Sequence, residues 1–190
     1  NRQTNRVVRY QNDPRNPNSL GSNDIFSITE DQGGYLWIGT TNGLERFDRA
    51  TSTFTHFRHE TQNEGSLGSN YVYVVFVDSK NEVWVGTAAG LDHLDRTTGQ
   101  FIHYTPRKND PNSLSGMLVY SIHEDNTGKL WVGTIENGLN HFDPATGLFT
   151  QYHHDPQDKT SLNNDSIMSI YQDSKQRIWF GTDGGGLNLY

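Results

Sequence analysis

Eight histidines are the residues of this chain best suited to metal binding or proton transfer. Their register speaks against both. His93 and His141 hold one place in a recurring strand, and His56 and His103 hold one place in the next. Side chains repeated on outer strands of successive units point outward and do not converge on one ion. His59, His153 and His154 fall in connecting loops with no partner spacing around them. His123-Glu124-Asp125 sets an acid beside an imidazole, but neighbours on a strand face opposite sides, so adjacency makes no general base. Gly184-Gly185-Gly186 has no helix after it and so offers no phosphate cradle. Asp31, Asp78, Asp125 and Asp173 recur once per unit, as turn formers do, without the clustering that calcium needs. Asn164-Asp165-Ser166 fits the glycosylation acceptor pattern, a weak match. With no cysteine, disulfides and thiolate metal sites are excluded. The expectation is a chain with no catalytic residue, no metal and no cofactor.

The elements that carry these residues repeat. Leu36-Trp37-Ile38-Gly39-Thr40 returns as Val83 to Thr87, Leu130 to Thr134 and Ile178 to Thr182. Trp37, Trp84, Trp131 and Trp179 are spaced 47, 47 and 48 residues apart and account for every tryptophan. That period belongs to propeller blades of four strands. Strand A of each unit is an apolar run: Ile25 to Ile28, Val72 to Val75, Leu118 to Ile122 and Ile167 to Ile170. A turn follows, in which Gly34, Asn81 and Gly128 suit a positive φ and Gln176 does not. Strand B carries the Trp, with Gly39, Gly86, Gly133 and Gly181 placed to let a neighbour approach. A short loop ending in Gly-Leu opens strand C. The C–D turn is Asp143-Pro144-Ala145-Thr146-Gly147 at its clearest, and Ser52 stands in the Gly place of the first copy. Strand D runs from an aromatic to an aromatic, as in Phe149 to Tyr152. No segment has a helical period.

The reading is therefore an all-β chain, a β-propeller of four-stranded antiparallel blades with four blades. As one domain, 1–190, it divides into a closing strand D and loop (1–18), blade 1 (19–65), blade 2 (66–112), blade 3 (113–160) and strands A to C of blade 4 (161–190). Val7-Val8-Arg9-Tyr10 reads as the strand D that completes the last blade. Closure within one chain, exchange of ends between two chains to give an eight-bladed ring, and membership of a longer propeller all remain open.

Four antiparallel strands put the D–A and B–C loops at one end of the ring. Those loops differ most between units, and variable loops on a rigid scaffold are the usual place for recognition. The ligand-facing candidates are Asn23, Asp24, Asn42, Asn70, Tyr71, Glu136, Asn137, Asp165 and Asp183. Amides and carboxylates beside an aromatic suit a polyhydroxylated ligand, while the plainer alternative is that they cap their own loops. The formal charge of −7 excludes a nucleic-acid or anionic-membrane surface, and no run approaches the length of a membrane span. Mean hydropathy is −0.77, as many short strands with polar turns would give.

An Asp-containing turn, Leu-Trp-Ile-Gly-Thr, Gly-Leu and a strand ending in Phe-Asp together resemble the two-component regulator propeller repeat. The lead-in Ser22 to Ile28 is similar too. That resemblance implies a sensor module in the periplasmic or extracellular part of a bacterial signalling protein, binding a glycan or other small ligand without catalysis. A dimerisation module and, less favoured, a propeller lyase or glycosidase are the competing functions.

Overall fold

The computed structural model describes residues 7–190. Fifteen strands are present among the described residues: β1 (Ile25–Glu30), β2 (Leu36–Thr40), β3 (Gly43–Asp48), β4 (Thr53–Phe57), β5 (Val72–Val77), β6 (Val83–Thr87), β7 (Gly90–Leu94), β8 (Phe101–Tyr104), β9 (Val119–Glu124), β10 (Leu130–Thr134), β11 (Leu139–Asp143), β12 (Leu148–Tyr152), β13 (Ile167–Gln172), β14 (Ile178–Thr182) and β15 (Gly186–Leu189). They form four antiparallel meanders, three of four strands and a last one, β13-β14-β15, of three. The propeller blades are as expected.

Turn chemistry sets the meander. Gly34, Asn81 and Gly128 take φ of 81°, 67° and 77° in the A–B turns, and Gln176 is forced to 67° in the fourth. Each turn is held by its Asp. Asp31 Oδ1 accepts the N–H of Gly33 and Tyr35, and Asp78 Oδ1 accepts those of Lys80 and Glu82. The other carboxylate oxygen reaches the buried indole: Trp37 Nε1 donates to Asp31 and Trp84 Nε1 to Asp78, both at 2.9 Å. The turn former and the core anchor are thus one hydrogen-bonded unit.

The core lies between blades. Trp37 packs with Leu67, Val72, Val83 and Val85 of the next sheet, Trp84 with Leu114, Val119 and Val132, and Trp131 with Leu162, Ile167 and Phe180. These three indoles are almost wholly buried, whereas Trp179, which no further blade covers among the described residues, is half-buried. The strand-B glycines allow this approach. A Cβ on Gly39 would come within 2.9 Å of the Val72 carbonyl, and one on Gly86 within 2.8 Å of that of Val119. Ser27 accepts the Val75 N–H at 3.0 Å, so a small hydroxyl also stitches one inner strand to the next.

One expectation is corrected. Val7 to Tyr10 form no strand and do not complete the last blade. Tyr10 instead packs edge-on against Phe47 and Phe54 of the first blade, at 4.8 and 6.0 Å between ring centroids. Residues 1–6 of the expected closing segment lie outside the described residues. The inner strands pack β1 on β5, β5 on β9 and β9 on β13. No such packing brings β13 round to β1, so the described blades form an open arc.

Candidate functional site

The D–A loops, which vary in sequence, share one construction. In each, a serine hydroxyl accepts an N–H six residues earlier: Ser19 from Asp13, Ser66 from Glu60, Ser113 from Arg107 and Ser161 from Asp155. A second clip spans eleven residues. Asn23 Oδ1 accepts the Asn12 N–H, Asn70 Oδ1 that of His59 and Asp165 Oδ1 that of His154, at 2.7 to 2.9 Å. The loop that follows β8 has no such clip, because Pro106 holds the donor's place with no N–H to give and Met117 holds the acceptor's.

These bonds divide the nine candidates. Asn23, Asn70 and Asp165 spend a side-chain oxygen on loop backbone. Asn42 does likewise, donating from Nδ2 to the Gly21 carbonyl at 3.0 Å. Asp24, Tyr71, Glu136, Asn137 and Asp183 are exposed, and among the described residues their side chains make no hydrogen bond. Glu136 sits at a φ of 64°, its N–H held by Ser166 Oγ, so a strained backbone presents its carboxylate. Asp183 is fixed through its own N–H to the Ser166 carbonyl. A groove of about 530 Å³ opens at this end between Gly68, Ala89, Thr105 and Met117.

The structure adds residues that sequence reasoning passed over. Every inner strand carries a β-bulge at its second residue. The register shifts between Ile25 and Ser27, between Val72 and Val74, at Val119 to Ser121, and between Ile167 and Ser169. The extra residues are Phe26, Tyr73, Tyr120 and Met168. A bulge leaves its extra residue out of the ladder and re-aims the side chain. Here three consecutive rings line up, Phe26 to Tyr73 at 5.5 Å and Tyr73 stacked on Tyr120 at 4.3 Å. Burial, with Tyr120 and Tyr71 adding to it, pushes the Tyr73 phenol up, so it stays a neutral hydroxyl. An aromatic at this second place in three of the four strands was the visible signal for the rings, though not for the bulges.

Of four carboxylate–imidazole pairs, the two beside the D–A loops most resemble acid–base machinery. His103 Nδ1 lies 2.7 Å from Asp92 Oδ1, and its Nε2 lies 2.9 Å from the Glu64 carbonyl. Both partners are acceptors, so the ring satisfies them only as an imidazolium. The bond to Asp92, opposed by burial, raises its pKa accordingly. In the first blade His56 Nδ1 meets Glu45 Oε2 while Nε2 meets the Pro17 carbonyl at 2.7 Å. Arg58 lies 2.7 Å from the other Glu45 oxygen as an ion pair. Burial raises the Glu45 pKa, and Arg58 and His56 oppose that rise. In the third blade the same places hold Asn140 and Gln151. Gln151 Nε2 donates to the Ser113 carbonyl and Asn140 Oδ1 accepts the Ser115 N–H. All three pairs brace the D–A loop, and neither imidazole has a nitrogen left for a substrate.

Four of the remaining histidines are similarly committed, whereas His123 Nε2 is buried without a partner and His153 Nε2 lies 3.3 Å from Gln151 Oε1 at the surface. His93 and His141 stack on Trp84 and Trp131 at 4.2 Å, and His59 and His154 bond loop carbonyls through Nδ1. His141 Nε2 also takes Asp125 at 2.7 Å, which leaves the Trp131 indole N–H without the carboxylate that its counterparts have. Among the described residues no three His, Asp or Glu side chains gather as a metal site.

The two component regulator propeller model matches residues 19–42, 66–89, 113–136 and 161–184, together half of the chain. The chain belongs to that family. Among solved structures it resembles the extracellular domain assigned to the hybrid two-component system BT3049 of Bacteroides thetaiotaomicron, with 27% identity and a TM-score of 0.77 over 90% of this chain and 23% of that one. The extracellular domain of the BT4673 system from the same organism matches at 30% identity and a TM-score of 0.72, over 91% of this chain and 22% of that one. The chain thus spans about a quarter of the length of these relatives. Virginiamycin B lyase from Staphylococcus aureus matches at 18% identity and a TM-score of 0.60, over 88% of this chain and 55% of that one; this shows a shared fold alone. No curated protein matches the chain.

Proposed function

We propose that these four blades are a non-enzymatic ligand-binding segment of an extracellular or periplasmic sensor, and that the ligand is a carbohydrate. The observation that carries this reading is the row of bulge-borne rings, Phe26, Tyr73 and Tyr120, on the inner strands. The rings stand where strand A begins and strand B ends, the end whose loops also carry Tyr71 and the uncommitted carboxylates and amide of Asp24, Glu136, Asn137 and Asp183. A sugar ring has an apolar face that stacks on an aromatic side chain and a hydroxylated rim that bonds carboxylates and amides. The kinship with extracellular domains of two-component systems supports the sensor role. Absence of catalysis rests on the imidazoles, since the ones that touch a carboxylate are tied to loop carbonyls or stacked on the core.

A glycan array probed with the labelled chain tests the ligand class. Binding is expected, and Tyr73→Ala and Glu136→Gln are each expected to weaken the best hit by about tenfold, near 1.4 kcal/mol. An array with no hit, or a hit indifferent to both changes, rejects the reading.

A further inference from the structure

The described blades meet at three joints that are not built alike. We infer that the second, between the sheets β5–β8 and β9–β12, is a hinge that opens at the end carrying the D–A and B–C loops. The first joint is bonded on its inner strands, where Ser27 Oγ accepts the Val75 N–H at 3.0 Å. The third is bonded there too, with Ser121 Oγ donating to the Ile167 carbonyl at 3.3 Å. The equivalent residue of the second joint is Val74, which has no hydroxyl.

The same joint lacks two more bonds. In the first joint the Gly43 N–H crosses to the Asn70 carbonyl at 2.6 Å, and in the third the Gly138 N–H crosses to that of Asp165 at 2.7 Å. Among the described residues Gly90 makes no such bond to Met117. The loop that spans the second joint is also the one without its eleven-residue clip, since Pro106 and Met117 stand at the two ends of it. Each of these bonds contributes modestly alone, but three missing at one place leave this end of the joint the least held of the three.

The opposite end is fastened. Glu124 accepts both the N–H and the hydroxyl of Ser79, at 2.7 Å each, a charge-assisted clasp between the A–B turns of the two blades. Trp84 and Tyr104 pack edge-on against Phe142, at 5.6 and 4.8 Å between ring centroids, and keep the outer strands together. A joint held at one end and along its outer side, and free at the other end, can swing without unfolding either blade. Space for the movement is present, because the groove of about 530 Å³ has Gly68 and Ala89 on one side of the joint and Met117 on the other. Tyr73 and Tyr120 stack at 4.3 Å across this joint. A ligand seated on both rings would hold the two halves of the arc at one angle and so turn binding into movement. That consequence rests on the ligand proposed above, whereas the hinge does not.

The chain has no cysteine, so nitroxide labels can be set in pairs across a chosen joint. Ala89→Cys with Leu118→Cys spans the second joint, and Asn42→Cys with Tyr71→Cys spans the first. Electron paramagnetic resonance is expected to give a broader distance distribution for the second joint than for the first. Val74→Ser, Pro106→His and Met117→Asn together rebuild the bonds of the first joint in the second, and are expected to narrow its distribution to match. The converse exchange, Ser27→Val with Asn70→Met, is expected to broaden the first joint, and it reads out even where the rebuilt chain does not fold. Equal widths at the two joints, a rebuilt chain that folds and stays broad, or a first joint unmoved by the converse exchange overturns the hinge. No glycan enters these readouts, so the hinge and the ligand stand or fall separately.

Discussion

The four tryptophans show how one residue type serves two bonds at once. Each indole of the first two blades packs into the next sheet and donates to the Asp of its own turn, so the Trp fixes both the blade contact and the turn. Trp131 keeps the packing and gives up the bond, because His141 has taken Asp125. Trp131→Ala removes a ring packed on Phe180 and Leu162 and should cost about 3–5 kcal/mol in urea-induced unfolding. A loss under about 1 kcal/mol would show that the ring is not a core anchor. Burial pulls the Asp31 carboxyl upward, but the bonds from Trp37, Tyr35 and Arg96 outweigh it and hold it below its usual range. At this scale the sequence was half transparent. A Trp repeated at one place announces packing, but which Asp oxygen meets which donor depends on contacts six or more residues away.

At the scale of the element, turns were the most legible part, because φ is a local property. Asn81 and Gly128 stand where a left-handed residue is required. Ser52 shows the cost of doing without one, at a φ of 57° where Gly99 and Gly147 take 74° and 72° in the sister turns. A Cβ on Gly147 meets nothing within 4 Å, so Gly147→Ala is a clean backbone test and should lose about 1–2 kcal/mol. Ser52→Gly should gain about 0.5 kcal/mol, the relief being partly offset by a freer unfolded chain. Thermal unfolding of both variants checks the pair, and a destabilised Ser52→Gly would contradict the assignment. The bulges were illegible for the opposite reason. Ile25-Phe26-Ser27 and Val72-Tyr73-Val74 read as plain apolar strands, and only the partner strand reveals that one residue is supernumerary. The D–A loops misled similarly. Asn70 and Tyr71 are neighbours, yet one clips His59 and the other faces solvent, a division set by a contact eleven residues back.

Across the whole molecule, repetition told the number of blades and their order. Val7 to Tyr10 has the composition of strand D, yet it pairs with no strand among the described residues and sets Tyr10 against Phe47 and Phe54. The repeat also lets one joint be compared in three chemical versions. Glu45 with His56, Asp92 with His103 and Asn140 with Gln151 brace equivalent loops, the first two with ionisable groups and the third with amides. This makes the blades unequal in response to acidity. The folded pKa of His103 lies above its ordinary value near 6.5. Its contribution to stability is therefore complete below that value and fades as pH rises through the folded one. Replacing the pair by its amide counterpart, Asp92→Asn with His103→Gln, should remove that dependence. The gap in urea midpoint between the natural chain and the double variant should shrink steadily from pH 6 to pH 9, and a gap that stays constant would mean the imidazole is not charged in the fold. An environment that turns alkaline would weaken the brace of the second blade's loop, while the amide brace of the third would not respond.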